Sequence, residues 1–171
     1  ELLFLAPLKP WQVVLSKLVA VTWRGAQWLL AIMPLFALPI LLGGVQGSDF
    51  VRLALVVANT LFWSAATSLW ASARSKGVFE ALVVTGLLQS ALVFAPLLVD
   101  LGICGFAFSK FKAYASLISP IYTLSVSFST GSSRFWPSFG AVHASAWIAL
   151  ALTVRTTARL VRQNPVGERT R

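Results

Sequence analysis

Four long windows without a single Asp, Glu, Lys or Arg constrain this chain more than any other feature. They cover residues 25–48, 53–73, 81–99 and 135–154. Each holds roughly 20 residues, and a helix rising about 1.5 Å per residue needs about that many to cross a hydrocarbon core of about 30 Å. A core helix of a soluble domain has no reason to be so long and so apolar on every face. Composition agrees where it matters. Only 11% of the 171 residues are charged and the mean hydropathy is +0.80, whereas soluble domains carry about a quarter charged residues. The expected fold class is all-α integral membrane, in a single domain.

The formal net charge of +9 does not point to nucleic acid, because the basic residues form no single patch. They gather at alternate span ends. Lys9, Lys17 and Arg24 precede the first window, and Arg74 and Lys76 separate the second and third. Arg155, Arg159, Arg162, Arg169 and Arg171 follow the fourth. The other ends hold Arg52 with Asp49, and Lys110, Lys112 and Arg134 with Asp100. The positive-inside rule then predicts cytoplasmic location for both ends of the chain, in a plasma (inner) membrane. Arg24 is expected to snorkel to the inner interface, since a charge at the bilayer centre costs about 2.5–3.5 kcal/mol. The single Cys104 excludes an internal disulfide, and no signal peptide is expected.

Span boundaries follow as about 19–43, 51–73, 78–99 and 137–156. A fifth charge-free window, 113–133, is long enough to cross, but it is serine-rich and interrupted by Pro120 and Gly131. A fifth crossing would also put the arginine tail, 157–171, outside. Residues 100–136 are therefore expected to form an external segment, re-entrant or lying in the interface. Inside the second span, Thr60, Ser64, Ser68 and Ser72 recur every four residues. That stripe reads as a packing seam or as a polar translocation face, and small hydroxyls favour packing. Asn59, Ser64, Ser68, Gln89 and His143 are the candidate pathway or seam residues, with Asn59, Gln89 and His143 near mid-depth. Glu80 is expected to form a surface ion pair with Arg74 or Lys76.

The opening, Glu1–Lys17, is built differently from everything after it. Pro10 suits the first turn of a helix. From there Trp11, Val14, Leu15 and Leu18 share one face, while Gln12, Ser16 and Lys17 share the other. Such a stretch, about 1–18, is predicted to be a short amphipathic helix lying on the membrane surface, its polar strip facing the cytoplasm.

Glu1-Leu2-Leu3, Ala6-Pro7-Leu8, Trp11 and Ser16-Lys17 together resemble the cytoplasmic signature of ABC transporter permeases of the type-2 exporter family. Ser16 stands where that family usually has glycine. The resemblance implies a C-terminal fragment that starts at the coupling helix. It also implies an ABC ATPase subunit as partner, with ATP and magnesium bound there, and a second permease copy or half. Glu1, Pro7, Lys9, Pro10, Trp11, Gln12 and Lys17 would then form the contact with the ATPase.

The chain itself has no G-x-x-x-x-G-K-[ST] phosphate loop, no H-E-x-x-H and no G-x-S-x-G, so no catalytic residue, metal site or cofactor is expected in it. Its carboxylates sit at span ends, too far apart for paired acid–base work. The function expected is that of a non-catalytic permease component. A non-transporting membrane scaffold or assembly subunit is the alternative. An ion-driven carrier would want more ionisable groups in its spans than His143 alone.

Overall fold

The computed structural model describes residues 10–41, 43, 46–75, 77–107, 115–128 and 133–163. Every regular element among them is helical. Helix α1 spans Pro10–Leu41, α2 Gly47–Arg74, α3 Val78–Ala107, α4 Pro120–Ser127 and α5 Phe135–Gln163, with a 3-10 turn at Ser116–Ile118 before α4. Four of these, α1, α2, α3 and α5, are long and apolar enough to cross a membrane.

Helix α2 is the hub, in contact with all four other helices. Its termini suit the helix dipole, with Asp49 in the first turn and Arg74 in the last. Its buried positions include Ala65, Ala66 and Ala71, small enough to let neighbouring backbones close in. Val14 and Leu18 of α1, Trp63, Ala65 and Ala66 of α2, and Val142, Ala146 and Leu150 of α5 form the main apolar core. A second cluster joins Val56 of α2, Val126 of α4 and Phe135 of α5.

Contact register fixes the helix directions. Val56 lies in the cluster with Phe135, Asn59 reaches Phe139 and His143, and Phe62 stacks on His143 and Trp147, so α2 and α5 run parallel. Gly25 meets Leu61, while Leu29 and Met33 surround a gap with Phe50, Leu53 and Val57, so α1 runs antiparallel to α2. Parallel α2 and α5 require two intervening reversals, and an extra crossing between α3 and α5 would have inverted α5. The start of α1 and the end of α5 therefore lie at the same end of the bundle.

The segment between α3 and α5 turns back on itself. Asp100 near the end of α3 accepts hydrogen bonds from the backbone N–H groups of Ala115 (3.0 Å) and Ser116 (2.8 Å). Ser119 Oγ then donates to the Val93 carbonyl (2.8 Å), one residue after the Leu92 carbonyl that Pro96, lacking an N–H, leaves without its helical donor. The chain has thus moved about 10 Å along α3, at about 1.5 Å per residue. Pro120, at the first position of α4, starts a helix rather than breaking one. From there α4 returns to Val56 and Phe135, and its buried face is Pro120, Thr123, Val126 and Ser127.

Helix α1 departs from expectation in two ways. No break separates Trp11–Lys17 from the rest; they are the first turns of one 32-residue helix. At about 1.5 Å per residue it is about 48 Å long, more than a hydrocarbon core requires. The predicted apolar face is also split: Val14 and Leu18 are buried, whereas Trp11 and Leu15 are each 49% exposed. Arg24 stands well inside α1 rather than at its end. Its neighbour Gly25 meets Leu61 at the middle of α2, and Arg24 is central in the apolar stretch Trp11–Leu35.

A side chain at position 25 would overlap the end of the Leu61 side chain, while position 86 on α3 has open space around it. Gly25→Leu should therefore destabilise the detergent-solubilised protein by about 1–3 kcal/mol, and Gly86→Leu by little. Fluorescence-monitored thermal unfolding of the two variants checks the contrast; equal losses would contradict this α1–α2 register.

Candidate functional site

Two polar crossings tie α2 to its neighbours near mid-depth. In the first, Asn59, buried at 6% exposure, donates through Nδ2 to the Phe139 carbonyl (3.2 Å), and its Oδ1 lies 2.8 Å from His143 Nδ1. Trp147 Nε1 sits 3.0 Å from His143 Nε2. Indole N–H only donates, so Nε2 must accept, and the imidazole proton must reside on Nδ1 and point at the Asn59 oxygen. Each group thus has one role, and the network assigns a single neutral tautomer. Phe62 and Phe139 stack on the imidazole, with ring centroids at 5.4 and 6.3 Å. With both ring nitrogens engaged, His143 is a clamp between α2 and α5. Relaying a proton would require breaking one of its bonds.

In the second crossing Gln89 of α3 donates through Nε2 to Ser64 Oγ (2.8 Å) and the Ser64 carbonyl (3.1 Å), with Thr67 Oγ1 at 3.3 Å. Asn59, Gln89 and His143 do not line one seam, as mid-depth counting suggested. They form two, on different faces of α2. The four-residue stripe is not a continuous polar track either. Thr60 bonds back to the Val56 carbonyl and Ser68 to the Ala65 carbonyl, both within α2, and of these two and Ser64 only Ser64 bonds another helix. Thr60 and Ser64 border a cavity of about 490 Å³ shared with Val93, Pro120, Ile121 and Leu124, whose walls are otherwise apolar.

A third polar cluster was not singled out in the sequence. Thr123 Oγ1 and Ser138 Oγ lie 2.6 Å apart, and Ser138 Oγ donates to the Leu117 carbonyl (2.9 Å). Together with the Asp100 and Ser119 bonds, this pins 115–127 to α3 and α5. Its only sequence signal was the serine richness of 113–133.

At the other end, Glu1, Pro7 and Lys9 lie outside the described residues. Pro10 opens α1, and Trp11, Gln12 and Lys17 are exposed. Trp11, Gln12, Leu15, Ser16 and Val19 border a shallow depression of about 500 Å³ lined by α1 alone. Arg74 stacks over the Trp70 ring (5.2 Å), and Lys76, its expected companion near Glu80, lies outside the described residues. At the far end Asp49 and Arg52 face each other at 4.0 Å, and Arg52 also sits over Phe135 (5.7 Å). Among the described residues no three His, Cys, Asp or Glu side chains come together as metal ligands would. No known protein family, curated protein or solved structure matches the chain.

If Asn59–His143 is a clamp, a double-mutant cycle of Asn59→Ala and His143→Ala should give a coupling of about 0.6–1.7 kcal/mol, the range for hydrogen bonds between membrane helices. Asn59→Ala and Gln89→Ala should instead add to within about 0.5 kcal/mol, because they act on separate seams. Reversible unfolding in micelles measures both, and coupling between Asn59 and Gln89 would restore the single-seam picture.

Proposed function

We propose that this chain is the membrane-spanning permease component of an ATP-binding-cassette exporter. A separate ATPase subunit would hold ATP and magnesium, and a second permease copy or half would complete the pathway. The observation that carries it is the opening of α1. There the stretch resembling the exporter signature ends in an exposed Trp11, Gln12 and Lys17, at the same end of the bundle as Arg74, Arg155 and Arg159. The far end carries Arg52 and Arg134 accompanied by Asp49 and Asp100. Along α2, Arg52 and Arg74 stand about 33 Å apart at 1.5 Å per residue, close to the thickness of a hydrocarbon core. The positive-inside rule then directs the Arg74 end, with both chain ends, to the cytoplasm.

On this reading the first turns of α1, level with the last turns of α2, offer their exposed side as the coupling contact, with Pro10 and Trp11 setting its angle and depth. The segment 115–128 re-enters from the outer side, where the Ala115 and Ser116 N–H groups and the Ser119 and Thr123 hydroxyls are paired by protein rather than left to lipid. Without a phosphate loop the chain would receive work through contact alone.

One observation favours the alternative of a non-transporting scaffold. Asn59, Ser64, Gln89 and His143 are all engaged in bonds between helices, so none offers a polar path within this chain. Affinity capture of the chain from native membranes separates the two readings, since a permease brings a phosphate-loop ATPase with it. In that complex, Trp11→Ala or Lys17→Glu should lower export by about tenfold or more while leaving membrane insertion intact. Unchanged export by both variants, with ATPase still bound, argues against α1 as the coupling element.

A further inference from the structure

We propose that the outward face of α1 around Arg24 docks a membrane-spanning helix of another polypeptide that carries an aspartate or glutamate at mid-depth. This stands on the placement of Arg24 and holds whichever reading of the function is correct.

Arg24 lies beside Gly25, whose contact with Leu61 puts it level with the middle of α2. It is exposed on the bundle surface, and no hydrogen bond or ion pair joins it to any described residue. Arg52 and Arg74 stand near the two ends of α2, so Arg24, level with the Leu61 region, is a cation within the apolar stretch Trp11–Leu35 and roughly 15–20 Å along the bundle from each. Intramembrane cations face a partner or a water-filled path, because lipid offers them none.

The face that Arg24 occupies is shaped for a helix. Ala20, Arg24, Gln27 and Ala31 recur at i, i+4, i+7 and i+11, all exposed and opposite the face that packs through Leu18, Gly25 and Leu29. Alanines on either side let a second backbone approach closely, and Gln27 adds a donor and an acceptor one turn from the charge. The acidic residues of the described chain, Asp49, Glu80 and Asp100, stand near helix ends, so a second copy packed in register has no described carboxylate at that depth. Among the described residues nothing complements Arg24, so the partner helix is defined by its own mid-span acid.

The test uses the full protein in native membranes, with a photoreactive amino acid replacing Ala20 or Ala31 on the proposed face, and Val19 as an exposed control on another. Illumination should join positions 20 and 31, but not 19, to one polypeptide that mass spectrometry identifies as having Asp or Glu in the middle of a span. Arg24→Lys should keep most of that adduct, and Arg24→Glu should reduce it about tenfold or more. Changing the partner's carboxylate to lysine should restore it in the Arg24→Glu background, which also shows that the variant folds. Adducts with lipid alone, an adduct of two copies of this chain, a partner lacking a mid-span acid, or failure of the exchanged charges to restore the adduct would each overturn the proposal.

Discussion

A polar group carried into hydrocarbon must bring its partner with it, and this fold is organised around the places where that happens. Lipid cannot accept or donate a hydrogen bond, so Asn59 holds its position by meeting the Phe139 carbonyl and His143 at once. Gln89 meets Ser64 in the same way, and the Asp100 carboxylate meets two backbone N–H groups. Each of these bonds joins α2 or α3 to a different element. Apolar packing alone would leave the helices free to rotate, since lipid tails are as apolar as leucine. The polar crossings choose one rotation for each helix, and the alanines of α2 let the helices come near enough to form them.

This also explains which parts of the structure could be read beforehand. The four spanning helices were legible because bilayer thickness sets a minimum length and charges are expelled toward the ends. Helix rotation was not legible. Thr60 and Ser68 look like Ser64 in spacing, yet each satisfies its hydroxyl on its own helix, whereas Ser64 receives Gln89. Spacing cannot tell a hydroxyl that turns inward on its helix from one that crosses. Asn59 differs because a carboxamide has both a donor and an acceptor to satisfy, and His143 supplies the match from a helix some eighty residues later. The turn-back at 115–128 was legible as an interruption, through Pro120 and its serines, but the pairing of Thr123 with Ser138 depends on a register no local pattern encodes.

Charge-free windows misplaced α1 for a related reason. They treat every lysine and arginine as a boundary, so the first window began only after Arg24. The helix instead obeys its packing: Val14 and Leu18 are drawn into the core with Trp63 and Leu150, and Gly25 settles on Leu61. Burying that edge sets Arg24 level with the middle of α2 as a consequence. The amphipathic pattern of the opening was real, but half of its apolar face serves the bundle and half remains exposed.

A continuous α1 changes how motion could pass through the molecule. A separate surface helix would act on the bundle through a hinge, and much of its displacement would be lost in bending. Here no hinge follows Lys17. Force applied at Trp11 or Gln12 acts on a rod already gripped at Val14 and Leu18 by α2 and α5, and again at Gly25 by Leu61. Because α2 is held in turn to α5 through Asn59 and to α3 through Gln89, a tilt of α1 reaches the whole bundle by packed contacts rather than by a loop. Pro34 is the next place in α1 where the hydrogen-bond ladder lacks a donor, and it lies beyond the Leu61 contact. Any bending of α1 should therefore concentrate in the far part of the helix, leaving the Trp11–Gly25 portion to move as one piece.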